Sequence, residues 1–189
     1  MMILLTGLFR IAPGNMCMNL LVITTLLLSG CGGGWVWGWG YTAAASYNNW
    51  TWVSGANTVN QSGSYGTQGV AAAANVPGAR SSAVSWTDAN GNLWLFGGSG
   101  LDSAGVTGTL NDLWKFDGTH WTWVSGANTV NQSGSYGTQG VAAAANVPGA
   151  RSSAVSWIDT NGNLWLFGGG GYDSAGSRGN LNDLWHDKP

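Results

Sequence analysis

Side chains suited to metal binding or nucleophilic catalysis are few in this 189-residue chain, which has two histidines, two cysteines and no glutamate. Neither His120 nor His186 has a cysteine, a glutamate or a second histidine near it at the spacing of metal ligands. His120 lies in a predicted turn, where a solvated side chain is the expected role. We therefore predict no metal site, no cofactor and no enzymatic activity.

Two other patterns resemble ligand-binding loops but have a structural explanation. Residues 88–92 and 159–163 resemble the start of a calcium loop, yet they lack its distal glutamate and contain the Asn-Gly pair typical of a β-hairpin. The glycine-rich segments that begin at residues 97 and 168 follow a predicted strand and lead to no predicted helix. A phosphate site of the helix N-terminal kind is therefore not expected.

Arg80 and Arg151 are the most informative charges, because each enters a mostly apolar segment. In a structural role, each would bond to backbone carbonyls or pair with Asp102 or Asp173. In a functional role, each would line the mouth of the fold and meet a ligand. The structural role is the favoured one.

The composition favours strands over helices. Only 7% of the residues are charged, whereas an ordinary soluble domain has roughly a quarter. The 32 glycines and 13 tryptophans are typical of turns and half-buried strands. The net charge of −2 gives no basic surface, so we predict no binding to nucleic acid.

Residues 1–30 have the features of an export signal, with an apolar run at 20–28 that is too short to span a bilayer. Residues 28–31 (LSGC) resemble the lipobox of bacterial lipoproteins. That resemblance implies a lipid anchor on Cys31 and a place in the cell envelope, at the outer membrane or cell surface. The alternative is an ordinary secretory signal followed by a chance cysteine. Residues 31–49 are predicted to form a Gly/Trp-rich tether, with a short strand or an aromatic patch as alternatives.

Residues 50–189 form two copies of one repeat with a period of 71, namely 50–120 and 121–189. Residues 50–115 and 121–186 differ at eight aligned positions, which predicts one shared structure. Five of these positions cluster in the loop between the second and third predicted strands, where binding diversity usually lies: 99, 101, 106, 107 and 109.

A complete unit of the repeat is predicted to contain four short antiparallel strands joined by tight turns, so the expected fold class is all-β. In the first unit these strands are residues 81–86, 92–98, 112–117 and 121–126, the last of which opens the second copy. The chain there shows, in order, Pro77, Arg80, Gly97-Gly98, Trp114, Phe116 and Trp121.

This order of residues resembles the kelch repeat, and the second copy repeats it at Pro148, Arg151, Gly168-Gly169 and Trp185, with Asp187 in the place of Phe116. The resemblance covers residues 77–126 and 148–187 but not the inserted residues 56–76. It implies four-stranded blades of a β-propeller. Some propellers of this type are copper radical oxidases such as galactose oxidase, whose Tyr–Cys cross-link and histidine ligands are not matched here. The resemblance therefore implies the fold and not the activity.

The expected propeller is incomplete, with two blades, whereas propellers have about four to eight. The phrase WTWVSG at residues 50–55 has no blade of its own, and the second copy has no such phrase after its third strand. The favoured expectation is a fragment or truncated gene. The alternative is a homo-oligomer, in which each copy donates residues 50–55 to a blade of another.

The resulting functional prediction is a non-enzymatic cell-envelope protein whose propeller loops bind an unknown protein or a glycan. Its contact with the membrane would be the lipid anchor. Tyr65 and Tyr136 are expected to be exposed and to suit sugar stacking or protein contact. The alternatives are a fragment with no independent activity and, less favoured, an oxidase-like enzyme.

Overall fold

The computed structural model describes residues 49–188. The predicted signal peptide, the lipid anchor on Cys31 and nearly all of the tether lie outside these residues. The described chain has nine strands in two antiparallel sheets, which confirms the all-β prediction. Within residues 49–188 there is no helix, and so none that could cross a membrane. Neither sheet closes on itself.

The first sheet contains strands β1 to β5, with β3 and β4 at its centre and β5 at its outer edge. Because Arg80 faces Gly100 and Val84 faces Phe96 in one register, β1 and β2 are a single strand interrupted near Ser82. Ser82 has a φ of 54°. The bounds are β1 Arg80–Ser81, β2 Val84–Thr87, β3 Leu93–Leu101, β4 Thr107–Phe116 and β5 Trp121–Ser125.

The second sheet repeats this arrangement without the outermost strand. No described strand pairs with the outer edge of β9. Residues 50–55, which have the same letters as 121–126, form no strand. The bounds are β6 Arg151–Ser152, β7 Val155–Ile158, β8 Leu164–Tyr172 and β9 Arg178–Asp187.

The central hairpin of each copy is longer than the sequence predicts. Strand β4 begins at Thr107 rather than at residue 112, because Thr107 and Thr109 pair with Leu101 and Ser99 of β3. The predicted long glycine-containing loop is therefore mostly strand, and only residues 102–106 connect β3 to β4.

The predicted Asn-Gly hairpins are confirmed at both places. Asp88 accepts hydrogen bonds from the backbone N–H of Asn90 at 2.9 Å and of Asn92 at 3.0 Å. Its second oxygen accepts from the side chains of Asn92 at 2.8 Å and Trp94 at 2.9 Å. Burial alone would raise the pKa of Asp88, but these hydrogen bonds outweigh it and hold the pKa at about 2.

The glycine pair at the end of the apolar strand is required by a β-bulge. Phe96 faces Leu113 and Gly98 faces Leu110, so Gly97 alone faces two residues of β4. Gly97 has a φ of +62°, and a Cβ atom there would lie 2.7 Å from the carbonyl oxygen of Arg151. A side chain would therefore strain the backbone and separate the two sheets.

The core lies between the two sheets. We call the face of each sheet that carries Trp94 or Trp165 its rear face, and the opposite face its front face. The rear face of the first sheet packs on the front face of the second, so residues far apart in sequence form one cluster. The buried members are Val84, Trp86, Trp94, Phe96 and Leu113 from the first sheet, and Leu164 and Leu166 from the second.

The insertion that distinguishes this repeat, residues 56–76, folds back onto its own sheet. Ser64 pairs with Val76, and the backbone N–H of Gly69 donates to the carbonyl of Trp123 in β5 at 2.8 Å. The side-chain amide of Asn75 donates to the carbonyl of Trp121 at 3.0 Å. The insertion therefore covers the outer strand and brings Tyr65 under it.

Candidate functional site

Each sheet contains one cluster of four polar and aromatic side chains built around an arginine. In the first arginine cluster, Arg80 binds Asp112 with two hydrogen bonds, of 2.6 and 2.7 Å. The Tyr65 hydroxyl donates to the same carboxylate at 2.6 Å, and the Trp114 indole N–H donates at 2.7 Å. Arg80 also donates to the carbonyls of Gly78 and Gly97, so its guanidinium is almost fully engaged.

The second arginine cluster has the same geometry, displaced by one repeat. Arg151 binds Asp183 with two hydrogen bonds, of 2.6 and 2.8 Å. Tyr136 and Trp185 donate to that carboxylate at 2.6 and 2.7 Å. The second carboxylate is less enclosed, because the side chain of Asp183 is 15% exposed and that of Asp112 is 0% exposed.

The predicted structural role of the arginines is confirmed, but the predicted acidic partners are wrong. The β-bulge opposite Gly97 contains Asp112, and bulges re-aim the side chains they contain. Asp102 instead holds its hairpin loop, accepting hydrogen bonds from the backbone N–H of Ala104 and of Val106 at 2.9 Å. Asp173 does the same in the second sheet.

The expectation that the tyrosines are exposed is also wrong. Tyr65 is buried and Tyr136 is half-buried, because the insertions fold back and place both hydroxyls on the carboxylates. The Tyr65 ring lies 4.9 Å from that of Trp114 and 5.2 Å from that of Trp123. Neither tyrosine can therefore offer an open stacking surface to a sugar.

The ionisable groups of the clusters keep their protonation states, because they are partly or fully buried and their polar atoms are hydrogen-bonded. Burial and the nearby Asp112 charge raise the pKa of Tyr65 well above its ordinary value, so the phenol stays a donor. Burial would raise the pKa of Asp183, but hydrogen bonds from Arg151, Trp185 and Tyr136 hold it at about 2. Every buried side-chain nitrogen and oxygen in residues 49–188 has a hydrogen-bond partner. The clusters thus fasten each insertion to its sheet.

The histidines stand apart from these clusters. The backbone N–H of His120 donates to Asp117 in the turn before β5, at 2.7 Å, and the His186 ring lies 5.0 Å from that of Trp165. In the part of the chain that the structure describes, no group of three or more His, Cys, Asp or Glu side chains could hold a metal ion.

Exposed positions at which the two copies differ lie on the β3–β4 and β8–β9 hairpins, and one further exposed pair, Ala89 and Thr160, lies in the turns before β3 and β8. Asp102 and Asp173 hold both loops with the same backbone bonds, so the loops share one frame. The frame carries the exposed pair Val106 and Thr107 in the first sheet, and Ser177 and Arg178 in the second. These hairpins are the candidate binding site.

Comparison with protein-family models and with curated proteins found no match to this chain.

Sequence reasoning missed Asp112, Asp183 and the two tryptophans that bind them. A usable signal was present, because a lone aspartate inside an apolar strand must find a donor when the strand is buried. The tyrosine could not be found this way, since its place depends on the path of the insertion.

Proposed function

We propose that this chain is a non-enzymatic protein of the cell envelope, built of kelch-type propeller blades, that binds a partner through its hairpin loops. The observation that carries the proposal is the pair of loops that share one backbone frame and differ in their exposed side chains. A fixed frame with variable surface residues is typical of loops that recognise ligands. The lipobox resemblance at Cys31 supports the location.

Of the two ligand classes, a protein is favoured over a glycan. The tyrosines that would have stacked on a sugar are engaged by Asp112 and Asp183. The exposed loop residues instead include a valine in one copy and an arginine in the other, and arginine is enriched in protein interfaces. A protein with a small apolar and acidic surface fits both loops.

The test is capture of a partner from envelope extract by the full chain, followed by loop exchange. The variant S177V/R178T gives the second loop the residues of the first. It should lower the amount of partner captured at least about tenfold if Arg178 contacts the partner. The reciprocal exchange, V106S/T107R, tests the first loop. The matched control is A89T, which puts a residue of the second copy into an exposed turn away from both loops.

Both exchanges should leave the melting temperature unchanged, because they introduce residues that the same frame already carries. A glycan array with the same variants separates the two ligand classes. Binding that neither loop exchange alters, or no binding in either assay, would contradict the proposal.

A further inference from the structure

Residues 49–188 contain one sheet-to-sheet interface, and they expose both halves of that interface a second time. Inside the chain, the rear face of the first sheet covers the front face of the second. Leu113 is 7% exposed there, whereas its counterpart Leu184 on the rear face of the second sheet is 53% exposed. Leu164 is 3% exposed, whereas its counterpart Leu93 on the front face of the first sheet is 47% exposed.

Polar groups that join the two sheets are duplicated on the open faces as well. The Trp86 indole donates to the carbonyl of Trp165 at 3.2 Å, and the Asn111 amide donates to the carbonyl of Pro148 at 3.3 Å. The rear face of the second sheet carries the same donors, Trp157 and Asn182. The matching acceptors are the carbonyls of Trp94, in the first sheet, and of Pro77, which precedes that sheet.

A groove at the outer edge of β9 shows which segment could bind beside the open rear face. In the first sheet, the equivalent groove is filled by Val130, and a Cβ atom at Gly108 would lie 2.6 Å from the Val130 side chain. Asn131 closes it, donating to the carbonyl of Thr109 at 2.7 Å and accepting from its N–H at 2.9 Å. A Cβ atom at Gly179 would contact no side chain or backbone atom of another segment within 4 Å, and a cavity of about 390 Å³ remains there.

The chain carries a second copy of the segment that fills the groove. Residues 50–61 have the same letters as 121–132, which form β5 and then enter the groove. Asn60 has a φ of 58°, close to the 61° of Asn131, so it already has the conformation that the groove requires. Trp50 is 99% exposed, and none of residues 50–55 belongs to a strand.

We propose that the open rear face and outer edge of the second sheet bind a second copy of this chain. The second copy places the front face of its first sheet on that rear face, and its residues 50–55 pair with β9. Its Val59 and Asn60 enter the groove beside Gly179. Connectivity permits all three contacts at once, because residues 50–55 lead through an insertion into the first sheet, as β5 leads through the identical insertion into the second.

The contact is head-to-tail, so each copy uses two different surfaces and a chain of copies closes only if the rotation permits. A closed ring of four to eight sheets would contain about two to four chains. The proposal does not depend on ligand binding by the hairpin loops, because Val106 and Thr107 remain exposed in the first sheet, where Val130 fills the same groove.

The experiment is sedimentation equilibrium of the full chain in density-matched detergent. It compares the wild type with two single variants, each of which blocks one of the two surfaces of the proposed interface. L184D places a charge on the rear face of the second sheet, and L93D places one on the front face of the first. Both residues are exposed in the single chain, so both variants should fold. Each should weaken association at least about 100-fold, because the carboxylate would be buried without a partner.

A mixture of the two variants should form a complex of two chains, since L93D keeps the rear face and L184D keeps the front face. The control V141D changes an exposed valine of the second insertion, and it should keep the wild-type mass because the counterpart Val70 stays 51% exposed although its own insertion covers β5. The proposal is overturned if the wild type has the mass of one chain, if the mixture forms no complex, or if V141D dissociates as well.

Discussion

Replacing Asp112 with asparagine should lower the free energy of unfolding by about 3–5 kcal/mol, because the change leaves the Arg80 guanidinium buried without a counter-charge. Asp112 accepts hydrogen bonds from Arg80, Tyr65 and Trp114, and its side chain is fully buried. Asparagine keeps the shape but cannot accept the two arginine bonds and the phenol together. The measurement is equilibrium unfolding in urea.

The matched control is the same substitution in the second sheet. Asp183→Asn removes the same contacts, but water reaches its partly exposed side chain, so we expect a smaller loss of about 1–3 kcal/mol. If Asp112→Asn prevents folding, Tyr65→Phe measures the same cluster, with an expected loss of about 1–3 kcal/mol. A negligible loss for Asp112→Asn would refute the structural role of the clusters, and equal losses for the two aspartates on an L93D background, which keeps the chains single, would contradict the difference in their enclosure.

Replacing Leu113 with alanine should destabilise the chain by about 2–5 kcal/mol, whereas Leu184→Ala should cost less than about 0.5 kcal/mol. The two leucines occupy the same place in the repeat, yet only Leu113 packs between the sheets. The cavity left at Leu113 lies in the main core, while the side chain at Leu184 faces solvent.

Both variants are compared by urea unfolding on an L93D background, which keeps the chains single by blocking the front face of the first sheet. Both substitutions replace leucine with alanine at the same position of the strand, so the difference in strand propensity between the two residues cancels from the comparison. A similar loss at both positions would mean that the rear face of the second sheet is covered in the single chain, contrary to the structure.

The strands and turns could be predicted from sequence because their causes are local. Asn-Gly pairs set the hairpins, and the short apolar run at β3, bounded by turn residues, is typical of a strand. The arginine entry into an apolar segment correctly predicted bonds to backbone carbonyls, as found at Gly78 and Gly97.

The acidic partner of Arg80 could not be predicted, because it depends on a bulge in a strand 32 residues further along the chain. The burial of Tyr65 depends on an insertion with little regular structure. The near-identity of the two copies did not help to distinguish structural residues from exposed ones, because residues of both kinds repeat. The difference between Leu113 and Leu184 likewise exists only in the packed structure, since their sequences and strand positions are the same.

Amide hydrogen exchange at residues 50–55 shows whether one chain carries both halves of a single interface. Peptides that include the different flanking residues, 48–49 or 119–120, distinguish this segment from β5. In the wild type, the amides of residues 50–55 should exchange at least about tenfold more slowly than in L184D, because pairing with β9 of a second copy protects them. The β5 amides should be protected in both proteins. Equally fast exchange of residues 50–55 in the wild type and in L184D would contradict the account.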